Sequence, residues 1–422
     1  MGWGEGERQD PGVCSCRGCG TPLGLAFADL GLSPIANALR RAEDNGRPEI
    51  FYPLQAWVCE RCWLVQLHHK LKPEELFSSS YAYFSSYSSS WLEHARAFAN
   101  EAITRFALKN DSMVVEVASN DGYLLQYFKQ AGIRIQGVEP AANVADVAER
   151  ERGVPSLRAF FGRDTALKMK AAGLVADLMV ANNVLAHVPN VNDFLAGFAI
   201  LLKPEGVASF EFPHLLRLIE DVQFDTIYHE HYSYLSLLAV ETLLARQGLR
   251  VFDVKALPTH GGSLRLLVCR TMAPYEPTPA LAALRTAETV AGLNRTDTYL
   301  AFTDRIRRTR RSLLRFLIQA QEEGSMVAGY GAPAKGNTLL NYCGVDASFI
   351  AFTVDRSPHK QGTWLPGTRI PVLAPNAIDV ARPDYLLILP WNLADEIMEH
   401  MAHVREWGCR FVVPIPETRI LA

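Results

Sequence analysis

Cysteine spacing near the start of the chain is its strongest constraint. Five of the eight cysteines fall within the first 62 residues, and four form two pairs, C-R-G-C at Cys16 and Cys19 and C-E-R-C at Cys59 and Cys62. A Cys-x-x-Cys turn aims two thiolates at one centre, and two such turns complete a tetrahedral Zn²⁺ shell. Gly18 and Gly20 relax the first turn. Four thiolates close the shell, so the expected zinc is structural, not catalytic. Cys14 could replace Cys16 only at the cost of irregular spacing. The intervening stretch is longer than a simple zinc ribbon and must form a small subdomain. His68 and His69 end the apolar run WLVQLHH and read as surface residues. Cys269, Cys343 and Cys409 lie in apolar contexts and read as small packed hydrophobes.

A length of 422 residues predicts two or three domains. With 49% hydrophobic and 21% charged residues, the composition excludes a disordered or disulfide-stapled chain. A net charge of −3 gives no general attraction for nucleic acid or an anionic membrane. The opening MGWGEGERQDPG has no apolar signal core. The longest clean apolar run, Phe194 to Leu202, is far too short for a bilayer span. The expectation is a cytoplasmic protein with no nucleic-acid or membrane partner.

Behind the cysteine module, S-S-S-Y-A-Y-F-S-S-Y-S-S-S at 78–90 is a linker by composition. Its aromatic content also suits a loop that brings Tyr81, Tyr83 or Tyr87 into a cleft. Ser90 is a candidate N-cap for a helix from Trp91 to Ala107. Strands are expected at Met113–Val117, Ile133–Val138, Asp177–Ala181, Gly206–Phe212, Arg250–Val254 and Ser263–Arg270. Helices are expected at Gly122–Gln130, Asn143–Glu151, Val191–Lys203 and Ala239–Gln247. This alternation predicts a parallel α/β sheet closing as a seven-stranded one. A helical region over Pro279–Glu323 precedes a second α/β series, with strands at Met326–Tyr330, Phe349–Val354, Tyr385–Leu389 and Phe411–Pro414. The arginines of DRIRRTRRSLLR read as a solvated helix face. The expected division is a zinc module over 1–78, a cofactor-binding domain over 79–275 and a second Rossmann-like domain over 276–422.

Three motifs carry chemistry. V-V-E-V-A-S-N-D-G at 114–122 feeds an apolar strand into an acidic residue and a small-residue turn, as a class I S-adenosylmethionine (SAM) fold begins. Against the pattern E-x-G-x-G-x-G, Glu116 and Gly122 match, while Ala118 and Asn120 stand where glycines would. Glu139 closes the next strand, where a carboxylate can accept both ribose hydroxyls. Asn182 and Asn183 end strand four, where cofactor and substrate should meet. The second motif, G-Y-G-A-P-A at 329–334 with Asp355 distal, has the form of a dinucleotide fingerprint, and Lys335 at the following helix start favours a phosphate. NAD or a nucleotide-sugar pyrophosphate would both suit it. The third, F-D-T-I-Y-H-E-H-Y-S-Y at 224–234, concentrates acid–base groups. In an extended segment His229 and His231 would share a face, with Glu230 opposite. Histidine suits a general base, a glutamate can orient it, and tyrosine can donate to an oxyanion. His187 lies just past strand four. His214 and His260, taken singly, read as ordinary packed or surface residues.

In order, the zinc module, E-V-A-S-N-D-G, I-Y-H-E-H-Y-S-Y, H-G-G-S-L-R and G-Y-G-A-P-A-K-G make the whole chain resemble the sugar C-methyltransferase family. The resemblance implies a SAM-dependent enzyme that methylates a carbon beside the ketone of a dTDP-linked keto-deoxysugar, with C-3' the expected position. It implies His231 as base, with Tyr228, Glu230, His187 and Tyr81 or Tyr83 completing the site. The implied cofactor lining is Glu116, Ala118, Asn120, Gly122, Tyr123, Leu124, Glu139, Pro140, Phe161, Asn182 and Asn183. The nucleotide-sugar would meet His260, Gly329, Gly331 and Lys335, and a monomer would suffice. A nicotinamide oxidoreductase, or a SAM enzyme acting on oxygen or nitrogen, are the alternatives.

Overall fold

The computed structural model describes residues 14–44, 46–68, 71 and 84–421. In the N-terminal unit, β1 (Leu25–Ser33), β2 (Tyr52–Val58) and β3 (Val65–Leu67) are antiparallel neighbours. Helix α1 (Ser89–Arg105) leads into β4 (Met113–Val117), β5 (Arg134–Val138), β6 (Ser156–Leu157) and β7 (Ala176–Asn182). Then come β8 (Leu202–Pro213), β9 (Ser233–Tyr234), β10 (Leu249–Leu257) and β11 (Ser263–Arg270). All of these but β9 form one sheet in the order β10-β11-β8-β7-β4-β5-β6. Its only reversed strand is β11, antiparallel to both neighbours. That is the class I SAM-dependent methyltransferase arrangement the first motif announced.

Two helices, α2 (Pro279–Val290) and α3 (Thr296–Glu322), lead to the second α/β unit. It holds β12 (Val327–Tyr330), α4 (Ala334–Cys343), β13 (Thr353–Val354), β14 (Thr363–Trp364), β15 (Pro371–Leu373), β16 (Tyr385–Ile388), β17 (Arg410–Val413) and β18 (Arg419–Leu421). The order is β14-β15-β13-β12-β16-β17-β18. From β12 the chain goes to β13 on one side and later to β16 on the other, so a switch-point crevice opens at the end of β12.

Local chemistry moved several expected boundaries. Ser88, not Ser90, caps α1, its Oγ accepting from the Trp91 N–H at 3.2 Å. Gly122 has φ +79°, which no helix tolerates, so that helix starts at Leu125. The helix from Val191 stops at Leu201 because Lys203 precedes Pro204 and is steered toward extended backbone. Gly292, at φ +79°, splits the long helical region into α2 and α3. The strand expected over Phe349–Val354 is paired only at Thr353–Val354. The arginine face of α3 is mostly exposed, while Phe302, Ile306, Leu313 and Leu317 are buried.

The three units interlock. Strand β9 joins β3, with Val65 opposite Tyr234, so the N-terminal sheet takes its fourth strand from the middle of the chain. Phe27 of β1 stacks on Phe302 of α3 with ring centroids 4.6 Å apart. Residues 228–232 therefore lead from Phe224–Thr226, which pack against the second α/β unit, into the N-terminal sheet.

Candidate active site

The end of β4 carries the first half of the site. Ala118, Asn120 and Gly122 have φ +53°, +49° and +79°. The two residues that replaced glycines keep the left-handed backbone glycine usually supplies, at about 1–2 kcal/mol each. A Cβ on Gly122 would lie 2.9 Å from Val154, so this position admits no side chain. Glu139, buried at the end of β5, accepts the N–H groups of Asn120 and Ala141 at 3.0 and 2.9 Å. Tyr123 faces Glu116 and accepts from Asn182 Nδ2 at 3.3 Å.

Burial raises the Glu116 carboxyl well above its usual range. Among the described residues, Ser119 Oγ, Asp121 Oδ1, Asn182 Oδ1 and Asn183 Oδ1 are buried without a hydrogen-bond partner. Clustered at the ends of β4 and β7, they fit a polar ligand such as SAM. Pro140 is half-buried beside Glu139, Leu124 is fully buried in the core, and Phe161 packs edge-on against Phe194 and Phe198. The serine segment closes onto this loop. Ser85 N–H donates to Asn120 Oδ1 at 2.8 Å, and Ser86 Oγ to Asp121 Oδ2 at 2.5 Å. Tyr87 is 73% exposed and faces away; Tyr81, Tyr83 and His69 lie outside the described residues.

The histidine cluster is a turn, not an extended segment: the His231 N–H bonds the Tyr228 carbonyl at 2.9 Å. His229 and His231 therefore part company. His229 packs on Tyr52 and points Nε2 at the Pro53 carbonyl, serving the N-terminal sheet. His231 lies 4.7 Å from the His187 ring and 4.0 Å from the Tyr228 ring, centroid to centroid. Its Nδ1 is 2.8 Å from the Thr226 carbonyl, and His187 Nδ1 is 2.9 Å from the Glu230 carbonyl. A carbonyl only accepts, so each Nδ1 holds the proton and each Nε2 keeps a basic lone pair. Burial, then the neighbouring His187, lowers the His231 pKa well below its ordinary value, so this imidazole is neutral at pH 7. Glu230 turns away and accepts from Asn37 Nδ2 at both carboxylate oxygens, 2.9 Å each. Asn37 belongs to the N-terminal unit, and no local pattern marks it.

Burial pushes the Glu230 carboxyl up to about 7. It binds a proton more tightly folded than unfolded, so its contribution is fully present below about pH 4.5 and is lost as pH rises through about 7. A rise of this size corresponds to about 3 kcal/mol. Glu230→Gln should therefore stabilise the protein more at pH 8 than at pH 5, read as the difference in Tm. Equal gains at both pH values would contradict this.

His260 has φ +56°, and its Nε2 lies 3.1 Å from Asn183 Nδ2. Trp91 stands 5.6 Å from the His260 ring and 4.9 Å from His94. His94 and Arg265 both reach the buried Glu211, at 2.9 and 2.6 Å, and Thr259 joins at 3.3 Å. Sequence reasoning missed this hub because its members come from α1, β8 and β11. His214, by contrast, bonds the buried Glu288 at 2.8 Å, as a packed residue should. In the second α/β unit, Gly329 and Gly331 serve close packing, their missing Cβ atoms 2.7 Å from Thr353 Oγ1 and 2.6 Å from Pro390. Asp355 is held by the Ala332 and Ser357 N–H groups at 2.8 and 2.9 Å.

In the zinc module, the Sγ atoms of Cys16, Cys19, Cys59 and Cys62 lie within 4.8 Å of one another. A thiolate shell about 2.3 Å from Zn²⁺ needs sulfurs roughly 3.8 Å apart, so the four fit the ion. Cys16 Sγ also accepts from Gln66 Nε2 at 3.1 Å, a supporting contact of the kind such sites use. Cys14 is not part of this cluster. No helix among the described residues is long and apolar enough to cross a membrane.

Comparison with known proteins agrees with these features. Family profiles match a zinc binding domain over residues 16–77, a methyltransferase domain over 91–254 and a C-methyltransferase C-terminal domain over 258–416. The C-methyltransferase NovU of Streptomyces niveus is 39% identical over 410 residues, 97% of each chain. Among solved structures, magnesium protoporphyrin IX methyltransferase of Synechocystis PCC 6803 with bound SAH is similar at 14% identity and TM-score 0.33, covering 42% of this chain and 83% of that one. A SAM-dependent methyltransferase of Archaeoglobus fulgidus is similar at 19% identity and TM-score 0.32, covering 39% and 71%. A full-length relative at this identity, with the zinc, methyltransferase and C-terminal domains in one order, means that the chain belongs to the C-methyltransferase family and is a SAM-dependent enzyme.

Proposed function

We propose that the chain methylates the ring carbon beside the ketone of a dTDP-linked keto-deoxysugar, with C-3' the position the resemblance implies. The observation that carries this reading is His231, a neutral imidazole whose Nε2 lone pair is fixed by the Nδ1 bond to Thr226. Carbon is a poor nucleophile until it loses a proton, so a C-methylating site needs a base. His231 Nε2 takes the proton from the carbon beside the ketone. The C–H electron pair becomes a C=C bond, and the carbonyl π pair moves onto oxygen. When bound, SAM supplies the electrophilic methyl that the enolate carbon takes, leaving a neutral thioether. Glu139 and the turn from Ala118 to Gly122 would hold that cofactor, with Asn182 and Asn183 at the substrate side. His187 and Tyr228 pack His231 in place, and Glu230 ties the turn to Asn37. His231 then releases its proton to solvent.

The test is incubation with a dTDP-4-keto-6-deoxysugar in D₂O, with and without SAM, read by mass spectrometry and NMR. One added methyl with SAM, and deuterium at the same carbon without it, is the expected result. Methyl on oxygen or nitrogen would overturn the reading.

A further inference from the structure

Lys335, singled out by its place at a helix start, makes contacts that reach well beyond its own motif. It opens α4, which packs against Phe224–Thr226, with Tyr342 edge-on to Phe224 at 5.3 Å. The ammonium donates to Asn392 Oδ1 at 2.8 Å and sits 4.5 Å over the Trp391 ring. Trp391 in turn donates its indole N–H to the buried Asp225 at 2.7 Å. The edge of the same ring lies where a Cβ on Gly261 would be 2.8 Å away, so only glycine lets the His260 turn approach it. One indole thus touches the residue beside Thr226, which fixes His231, and the residue beside His260. The lysine it supports sits over the ring that spans the two histidine turns. Burial comes first in lowering the pKa of both histidines, and the Lys335 charge adds to it.

We propose that Lys335 is a catalytic residue whose ammonium, carried in by the second α/β unit, stabilises the enolate oxygen. This rests on the reading above. A base that removes a carbon-bound proton leaves negative charge on the ketone oxygen, and a fixed cation in a sheltered site is the strongest means of holding it. In a 4-keto hexose the ketone lies across the ring from the anomeric phosphate. An ammonium over the indole that joins the histidine turns serves the reacting end and not the diphosphate. Burial lowers the Lys335 pKa, and the neighbouring Asp225 carboxylate opposes that shift.

The test uses Lys335→Met, Lys335→Arg and His231→Asn in the full-length zinc-loaded protein. Deuterium exchange into a dTDP-4-keto-6-deoxysugar without SAM is measured beside dTDP affinity by calorimetry. Lys335→Met should slow exchange and methylation by about 10²–10³-fold, with dTDP affinity within about twofold, and Lys335→Arg should recover part of the exchange. A large loss of dTDP affinity in Lys335→Met with exchange retained at saturation would make the lysine a diphosphate contact and overturn the proposal. So would full exchange with unchanged affinity. Unchanged exchange in His231→Asn would instead overturn the base assignment on which it rests.

Discussion

His231→Asn should abolish methyl transfer and, in the same proportion, deuterium exchange at the acceptor carbon. General-base catalysis contributes about 10²–10⁴-fold, and both readouts depend on the same proton removal. Asparagine can still donate to the Thr226 carbonyl, so the turn keeps its tether, but no basic lone pair remains at the Nε2 position. SAM affinity should stay within about threefold, because Glu139 and the Ala118–Gly122 turn sit on other strands. The pH profile supplies a second check. His231 is held neutral well below the ordinary histidine range. The acid limb of kcat/KM in the wild type should therefore fall below about pH 6.5. Exchange persisting in His231→Asn at the wild-type rate would move the role to His187. Its Nδ1 is fixed by the Glu230 carbonyl in the same way, and its pKa is lowered to about 4 by burial.

Periodicity and punctuation made much of the fold legible. The strand at Met113–Val117 and the one at Ser263–Arg270 stand where the apolar pattern put them. The boundaries that moved did so for reasons confined to a residue or two, such as Pro204 and Gly292. Pairing was less legible. Strand β9 is two residues long and belongs to a sheet whose other strands lie before residue 68. Nothing in Ser233–Tyr234 announces that partner. The site divides along the same line. Glu116, Glu139, Asn182 and Asn183 follow from position at strand ends, whereas Asn37, Glu211, Asp225 and Trp391 act through contacts across long stretches of chain. Motif reading also misjudged the histidine cluster. Alternation along an extended segment would pair His229 with His231, but the turn at Tyr228 sends one to the N-terminal sheet and the other to the cleft.

That division makes zinc removal the second large effect expected. Cys62→Ser, or chelation of the wild type, should cost the module most of the stabilisation the ion provides, on the order of 10 kcal/mol for a structural site. The loss should spread to the cleft by a defined route. Arg17, inside the first knuckle, donates to the carbonyls of Tyr232 and Leu67. The Leu67 N–H also bonds the Tyr232 carbonyl at 3.0 Å, and β9, which starts at the next residue, pairs with β3. A Cβ on Gly18 would press to 2.7 Å from Leu243, so the knuckle packs directly on the methyltransferase core. Tyr232 is the residue after His231, and freeing its carbonyl removes what holds the far end of the catalytic turn. Methylation should therefore fall more than tenfold on chelation. SAM affinity should change by less than about threefold, because Glu139 lies at the far half of the other sheet. Readdition of Zn²⁺ should restore activity to the chelated wild type but not to Cys62→Ser. Activity that survives complete metal removal, verified by elemental analysis, would show that the module does not hold the turn. An equal loss of SAM binding would show that the metal supports the whole molecule and not this turn in particular.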